Sequence, residues 1–255
     1  MDRLSVGRLG GYAYFGLPLA MLTLPVYIYV PTVYSAEFGL PLAAIGAVLL
    51  VVRLFDAVSD PLIGWLSDRV PIAGTRRKAY IALAIPLMVV SAWMLMRPGD
   101  GASLSGLALW SALLSLGWTL AIIPYNAWGA ELSGDYFERN RVTGARESLV
   151  VVGTVFATAM PALLPLFGQS GDAAVLASLA VVLAILLPLC GGVTLLTVPE
   201  PLNRSHARVQ LRAGLAHMRR NAPFMRLILA FILNGFANGL PASLFLFFAG
   251  SVLVA

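Results

Sequence analysis

Three charged residues interrupt an apolar run in the segment Val52-Arg53-Leu54-Phe55-Asp56-Ala57-Val58-Ser59-Asp60-Pro61. Arg53, Asp56 and Asp60 follow one another at spacings of three and four residues, which place side chains on one face of a helix. A charge at the middle of a membrane helix costs roughly 2.5–3.5 kcal/mol on insertion scales, so this face is expected to meet a cavity or protein and not lipid. With Arg53 protonated and both aspartates ionised, the trio carries one net negative charge.

Two interpretations of the trio stay open. In the first, Asp56 and Asp60 bind a coupling cation, Na+ or H+, and Arg53 tunes their charge, because neighbouring carboxylates repel each other and so favour a proton or a cation. In the second, an Arg53–Asp56 ion pair holds helices together and Asp60 reaches a cytoplasmic arginine. The first predicts a secondary transporter, whereas the second fits a seven-helix receptor or scaffold that transports nothing.

The composition places this segment in a membrane protein. Hydrophobic residues make up 59% of the chain and charged residues 11%, against roughly 45–50% and about 25% in soluble domains. Seven apolar runs are long enough to cross a bilayer as helices. The sequence therefore predicts an all-α membrane protein with seven spans, which cover approximately residues 11–33, 40–66, 79–96, 104–130, 148–167, 173–198 and 223–254.

The basic residues predict the orientation of these spans. Fifteen of the 17 lie before the first span or in alternate connections, and the positive-inside rule makes that side cytoplasmic. We expect a multi-pass protein of the cytoplasmic (inner) membrane, with its amino terminus inside and its carboxyl terminus outside. Because the charge is spread over four segments that face an anionic leaflet, nucleic-acid binding is not expected.

Enzymatic chemistry is not predicted. Gly168-Gln169-Ser170-Gly171 matches a short pattern of intramembrane serine proteases. A serine nucleophile needs a positioned base, however, and both histidines, His206 and His217, fall on the opposite side of the membrane. The chain has a single cysteine, Cys190, and no phosphate-binding loop motif. We therefore expect no cofactor, no structural metal and no ATP-driven pump.

Longer motifs resemble one family. Residues 53–69 look like the corresponding part of the glycoside–pentoside–hexuronide:cation symporters, the melibiose-carrier group of the major facilitator superfamily. Gly64-x-x-x-Asp68-Arg69 followed by Gly74-Thr-Arg76-Arg77-Lys78 is similar to the superfamily's loop signature between helices two and three. The stretches 123–132 and 138–147 match the group at the end of span four and the start of span five. The resemblance covers essentially the whole chain.

The resemblance implies roles for particular residues. Asp56 and Asp60 match carboxylates that hold sodium, lithium or a proton, and Thr119 matches a hydroxyl of the same site. Arg146 matches a sugar-contacting arginine, and Asn126 and Tyr125 are weaker candidates for solute contact. The predicted gating loop consists of Gly64, Asp68, Arg69, Arg76 and Arg77.

This sequence also departs from the family pattern. No acid lies at residues 18–20, where the family has a sugar-gripping aspartate, and Ile122 stands where it has another. Asn126 replaces a stacking tryptophan. The expected partners are a monovalent cation, the lipid bilayer and a small organic solute that is sugar-like or of another class.

The resemblance also implies a domain organisation. Residues 1–198 are expected to form the amino-terminal six-helix bundle of a major facilitator. Residues 199–222 form a cytoplasmic linker, which is either an amphipathic helix on the inner leaflet or a solvated segment, and residues 223–255 the first helix of a second bundle. Since such carriers have two six-helix bundles, we expect the chain to be part of a longer protein that includes a carboxyl-terminal half.

Overall fold

The computed structural model describes residues 3–72, 74–99, 101–200, 218 and 220–248. The chain divides into two compact units, residues 1–202 and residues 203–255. The first unit contains helices α1 to α8, and the second contains α9. Their bounds are Val6–Ala13 (α1), Gly16–Leu24 (α2), Val30–Ala36 (α3), Leu42–Arg69 (α4), Lys78–Met96 (α5), Leu104–Glu131 (α6), Tyr136–Leu163 (α7), Asp172–Thr197 (α8) and Ala222–Phe248 (α9).

The long apolar helices confirm the predicted fold class. Among the described residues, six helical stretches are long and apolar enough to cross a membrane, and the part of α9 from Ala222 to Asn234 adds a shorter apolar helix. The first span is continuous from Val6 to Ala36 and combines α1, α2, a π-helical segment at Pro25–Tyr29 and α3. Pro25 opens the π segment, which is consistent with a missing N–H donor in an otherwise regular helix.

The fifth span begins earlier than its apolar run predicted. Helix α7 starts at Tyr136 instead of near residue 148, so it includes the charged stretch 138–147. The Asp135 side chain caps this end by accepting the Glu138 N–H at 3.0 Å, as an N-cap aspartate does. Glu138 in turn accepts hydrogen bonds from the Leu4 N–H and from Arg141. Hydropathy marks the membrane segment, whereas capping marks where the helix itself begins.

Small residues let the helices of the first unit approach closely. A side chain at Gly153 of α7 would collide with the backbone carbonyl of Leu17 on α2, and one at Gly117 of α6 would lie 2.7 Å from Met88 Cγ on α5. Such glycines are typical of helix contacts in membranes, where close packing replaces hydrophobic burial as the driving force. Helix α6 packs against both α4 and α5, and this places its hydroxyl residues beside the α4 carboxylates.

The predicted linker lies almost wholly outside the described residues. Positions 201–217 and 219 carry the amphipathic pattern, so its two interpretations stay predictions. The predicted domain boundaries likewise stay predictions.

Candidate functional site

The two aspartates of α4 each meet a hydroxyl of α6. The Ser115 hydroxyl donates a hydrogen bond to Asp56 Oδ1, and the Thr119 hydroxyl donates to Asp60 Oδ1 at 2.7 Å. The partners are separated by 59 residues in both pairs. One turn along α4 therefore corresponds to one turn along α6, and the two helices run in the same direction at matched height. The structure thus brings the three predicted cation-site residues together.

Arg53 forms an ion pair with the first of these two carboxylates, Asp56. Its Nη1 lies 3.1 Å from Asp56 Oδ2, and the Asp56 side chain is 14% exposed. The Arg53 guanidinium also lies 4.6 Å from the centre of the Tyr27 ring, a cation–π geometry. This ion pair agrees with the first part of the receptor or scaffold interpretation, in which Arg53 and Asp56 form a structural salt bridge.

Asp60 does not follow the second half of that interpretation. Its hydrogen-bond partner is the Thr119 hydroxyl and not an arginine, and none of the ion pairs found within the described ranges includes it. Asp60 is exposed on the surface of the unit. Because an ionised carboxylate in hydrocarbon is costly, this face of α4 requires water or protein beside it. With all three groups ionised, Arg53 pairs with Asp56, and the remaining formal charge of the trio is that of Asp60.

The predicted solute residues Arg146 and Asn126 also meet. Arg146 Nη1 donates to the Asn126 side-chain oxygen, which joins α7 to α6. Glu147 accepts two further hydrogen bonds from the guanidinium, at 3.2 and 2.5 Å. Asn126 and Glu147 are exposed. This group offers an amide and a carboxylate beside a fixed guanidinium, which suits hydrogen bonding to hydroxyl or carbonyl groups of a solute.

Tyr125 lies behind this group in the packed core. Its side chain is 0% exposed, and its hydroxyl donates to the Tyr12 carbonyl at 2.6 Å while the Tyr12 hydroxyl donates to the Tyr125 carbonyl at 3.0 Å. The two rings stack with centroids 4.5 Å apart. Contact between Tyr125 and a solute would require this packing to open, so the residue positions α6 against α1 in the present arrangement.

A single polar stripe links the two groups. Ser111, Ser115, Thr119 and Asn126 recur at spacings of four, four and seven residues along α6, and these spacings keep side chains on one helix face. Thr119 and Asn126 are therefore two turns, or about 10 Å, apart along the helix. One residue of the candidate cation group, Thr119, and one of the candidate solute group, Asn126, therefore lie on the same helix.

Residues of the predicted gating loop form a compact ion cluster at the end of α4 and α6. Arg77 is 3% exposed and lies 2.8 Å from Asp68 and 2.6 Å from Glu131. Arg76 Nη2 lies 3.6 Å from the same Glu131 carboxylate. We call these four residues the Arg77 cluster. Burial acts to lower the pKa of Arg77, but the hydrogen bonds and charges of Glu131 and then Asp68 raise it above the ordinary arginine value.

Glu200 binds the backbone of the predicted gating loop. One of its carboxylate oxygens accepts the backbone N–H groups of both Arg76 and Arg77 at 2.8 Å. These N–H groups lie at the start of α5, where a negative charge is favoured by the helix dipole.

The other two residues of the predicted gating loop are Arg69 and Gly64. The Arg69 guanidinium stacks on Trp65 at 5.0 Å. A side chain at Gly64, inside α4, would lie in ordinary contact with Ile123.

Sequence reasoning missed four residues of these sites, namely Ser115, Glu131, Glu147 and Glu200. Ser115 precedes Thr119 by four residues, the same spacing that separates Asp56 from Asp60. The equal spacing would have predicted the Ser115–Asp56 contact if α4 and α6 had been assumed to pack in parallel. The role of Glu200 had no comparable local signal, because its partners lie more than 120 residues earlier.

Comparisons with known proteins give a consistent family. The model of a family described as MFS/sugar transport protein matches residues 11–255. The chain is similar to the inner membrane symporter YicJ of Escherichia coli (strain K12), with 29% identity over 73% of this chain and 42% of that protein. It is also similar to the putative glycoside/cation symporter YagG of the same organism, with 32% identity over 48% of this chain and 27% of the relative.

A third relative is the uncharacterized symporter YnaJ of Bacillus subtilis (strain 168), with 28% identity over 57% of this chain and 32% of that protein. The chain thus spans less than half the length of these curated relatives.

Proposed function

The chain belongs to the family described as MFS/sugar transport protein, and on that premise we propose that it forms the cation-binding bundle of a secondary active symporter for a small organic solute. The predicted resemblance to glycoside–pentoside–hexuronide:cation symporters is confirmed by the family match and by the symporter relatives. The coupled transport, the ion and the solute are the parts we propose.

The observation that carries the proposal is the pair of carboxylate–hydroxyl contacts between α4 and α6. Arg53 balances the charge of Asp56, and Asp60 retains one negative charge beside the Thr119 hydroxyl. One Na+, one Li+ or one proton at Asp60 makes the group neutral. Coupling-ion sites in carriers lie near the middle of the membrane, and Asp56 lies at the midpoint of α4 with Asp60 one turn beyond it.

The polar stripe of α6 supports coupling between ion and solute. Thr119 contacts the cation-site carboxylate, and Asn126, two turns further along, contacts Arg146. A displacement or rotation of α6 on cation binding therefore changes the position of the solute group. We assign solute contact to Arg146 and Asn126, with Tyr125 holding their helix in place.

The remaining parts of the proposal concern the membrane location of the chain and the second bundle. We place the chain in the inner membrane with its amino terminus in the cytoplasm, following the positive-inside rule. A second bundle completes the solute pathway and covers the exposed α4 face that carries Asp60. The greater length of the relatives supports this assignment.

Thermal unfolding of the purified 255-residue chain in lipid nanodiscs tests the proposal. Unfolding temperatures are compared in NaCl, LiCl and choline chloride at equal ionic strength, and across pH in choline. A cation at 100 times its dissociation constant stabilises the folded state by about 2.7 kcal/mol, which raises the unfolding temperature by several degrees. Stabilisation by Na+, Li+ or protons that is lost in both Asp56→Asn and Asp60→Asn supports the proposal.

Asp172→Asn is the matched control, because it removes an exposed carboxylate at the start of α8 and is expected to keep the effect.

The alternative function is a receptor or scaffold without transport, and the Arg53–Asp56 ion pair at 3.1 Å is the observation that favours it. In that case the trio is a structural salt bridge. Equal unfolding temperatures in all three salts, with no dependence on Asp60 at any pH, would establish this alternative and remove the symporter proposal.

A further inference from the structure

A cavity of about 170 Å³ lies between the first span, α4 and α6. Its walls are mostly aliphatic and aromatic, and Arg53, Asp56, Ser111 and Ser115 contribute polar atoms to it. Its α4 and α6 lining residues run from Leu49 to Asp56 and from Ser111 to Trp118, so it lies toward the helix starts and away from the Arg77 cluster. A buried water occupies roughly 30 Å³ in the liquid, so the cavity has room for several.

Ser111 points to a polar occupant of this cavity. The side chain is 4% exposed, and within the described part of the chain its Oγ has no hydrogen-bond partner. Leaving a buried hydroxyl unpaired costs about 1–3 kcal/mol. Buried polar groups in proteins are normally satisfied by protein or by water. A polar occupant of the cavity would satisfy this one.

Three hydroxyl side chains of α6 lie in a row between this cavity and Asp60. Ser111 precedes Ser115, and Ser115 precedes Thr119, by four residues each, or about 6 Å of helix rise. Ser115 contacts Asp56 and Thr119 contacts Asp60. Oxygen atoms from hydroxyls, carboxylates and water are suitable ligands for a small hard cation. The unpaired Ser111 is the hydroxyl residue furthest from Asp60 in this row.

We propose that this cavity is the entry cavity of the coupling cation, and that Ser111 and Ser115 hold the partly hydrated ion before it reaches Asp60. The inference rests on the proposed function. The Arg53–Asp56 pair borders the cavity without net charge, so attraction comes from Asp60 and the transit position binds weakly. Weak binding suits a passing ion, which must leave the position as readily as it enters.

The position of the cavity sets the direction of entry. The ion enters from the membrane side opposite the Arg77 cluster, through the amino-terminal bundle alone.

Cysteine labelling in nanodiscs tests the entry cavity. Cys190 is the single cysteine of the sequence, and its replacement in Cys190→Ala gives a background without thiols. Ser111→Cys is then treated with a small cationic methanethiosulfonate reagent, which needs water to reach the thiol. Leu109→Cys is the control, because Leu109 is 53% exposed, lies two residues away and does not line the cavity. Thr23→Cys reports from the opposite wall.

We expect Ser111→Cys to react at least tenfold faster than Leu109→Cys, and Na+ to slow the reaction severalfold at constant pH. The effect of a lower pH is read as the ratio of the two labelling rates at the same pH, because protonation slows every thiol. Labelling of both Ser111→Cys and Thr23→Cys at the control rate, in a chain that keeps its Asp60-dependent stabilisation, overturns the inference and leaves the proposed function intact. Fast labelling that the stabilising cation does not slow also overturns it.

Failure of the proposed function has a different signature. Unfolding temperatures would then be insensitive to cations, whatever the labelling rates.

Discussion

The Thr119 hydroxyl on α6 donates a 2.7 Å hydrogen bond to the Asp60 carboxylate on α4. Thr119 is 2% exposed, whereas Asp60 faces outward. The threonine therefore holds one carboxylate oxygen from the buried side and leaves the other free to meet an ion.

Thr119→Val is expected to weaken cation binding. The substitution removes a hydroxyl oxygen beside Asp60 that a Na+ or Li+ ion would use as a ligand, and we expect the dissociation constant of that ion to rise roughly tenfold, or by about 1.4 kcal/mol. The measurement is the cation concentration that gives half-maximal thermal stabilisation. Thr119→Ser keeps the hydroxyl and should stay within about threefold of the parent, by the same relation. Equal affinity in the valine variant would remove Thr119 from the site.

Arg53→Gln is expected to tighten cation binding. The substitution removes the positive charge paired with Asp56, so the net charge of the trio changes from one negative to two. We expect affinity to rise roughly tenfold, or about 1.4 kcal/mol. Calorimetric titration checks this value. Arg97→Gln is the control, since Arg97 is exposed and stacks on Trp93, away from the trio. Unchanged or weaker binding in Arg53→Gln would contradict its role in charge tuning.

Glu131→Gln is expected to destabilise the bundle. Glu131 accepts two hydrogen bonds from the buried Arg77 guanidinium, at 2.6 and 3.3 Å, and the neutral amide leaves that charge poorly matched. The expected loss is about 1.5–3 kcal/mol, measured by denaturant titration of the chain in mixed micelles. Asp68→Asn should cost less, because Asp68 is 61% exposed and the ion pair is screened by solvent. A larger loss in Asp68→Asn would reverse this ranking.

Gly153→Ala is expected to separate two spans. The new methyl group would meet the Leu17 backbone carbonyl, which cannot turn aside as a flexible side chain can. Overpacking of this kind costs about 1–3 kcal/mol. Gly144→Ala in the same helix is the matched control, since nothing lies within 4 Å of the new group and alanine favours a helix by up to about 1 kcal/mol. Equal unfolding midpoints for both variants would show that α2 and α7 tolerate a wider spacing.

Much of the fold could be predicted because the bilayer imposes it. Apolar runs of membrane length identified the spans, and the three-and-four spacing of Arg53, Asp56 and Asp60 placed the charges on one face of α4. Hydropathy alone placed the start of span five near residue 148, because it does not register a helix that continues into water on an Asp135 cap. The family motif at residues 138–147 had indicated the earlier start. The Ser115–Asp56 contact depends on the register between two helices, which distant packing sets and local sequence does not.

Asp56 and Asp60 repeat every four residues along α4, and Ser111, Ser115 and Thr119 repeat at the same interval along a parallel helix. A slide of α6 by one turn, about 5.4 Å, toward the Arg77 cluster would give Asp56 the hydroxyl of Ser111 and Asp60 that of Ser115. Thr119 would then turn to a carbonyl of its own helix. Each carboxylate would thus keep a hydroxyl donor in the second register, whereas the hydrogen bonds between Tyr125 and Tyr12 and the ion pair between Glu131 and Arg77 hold α6 in the first.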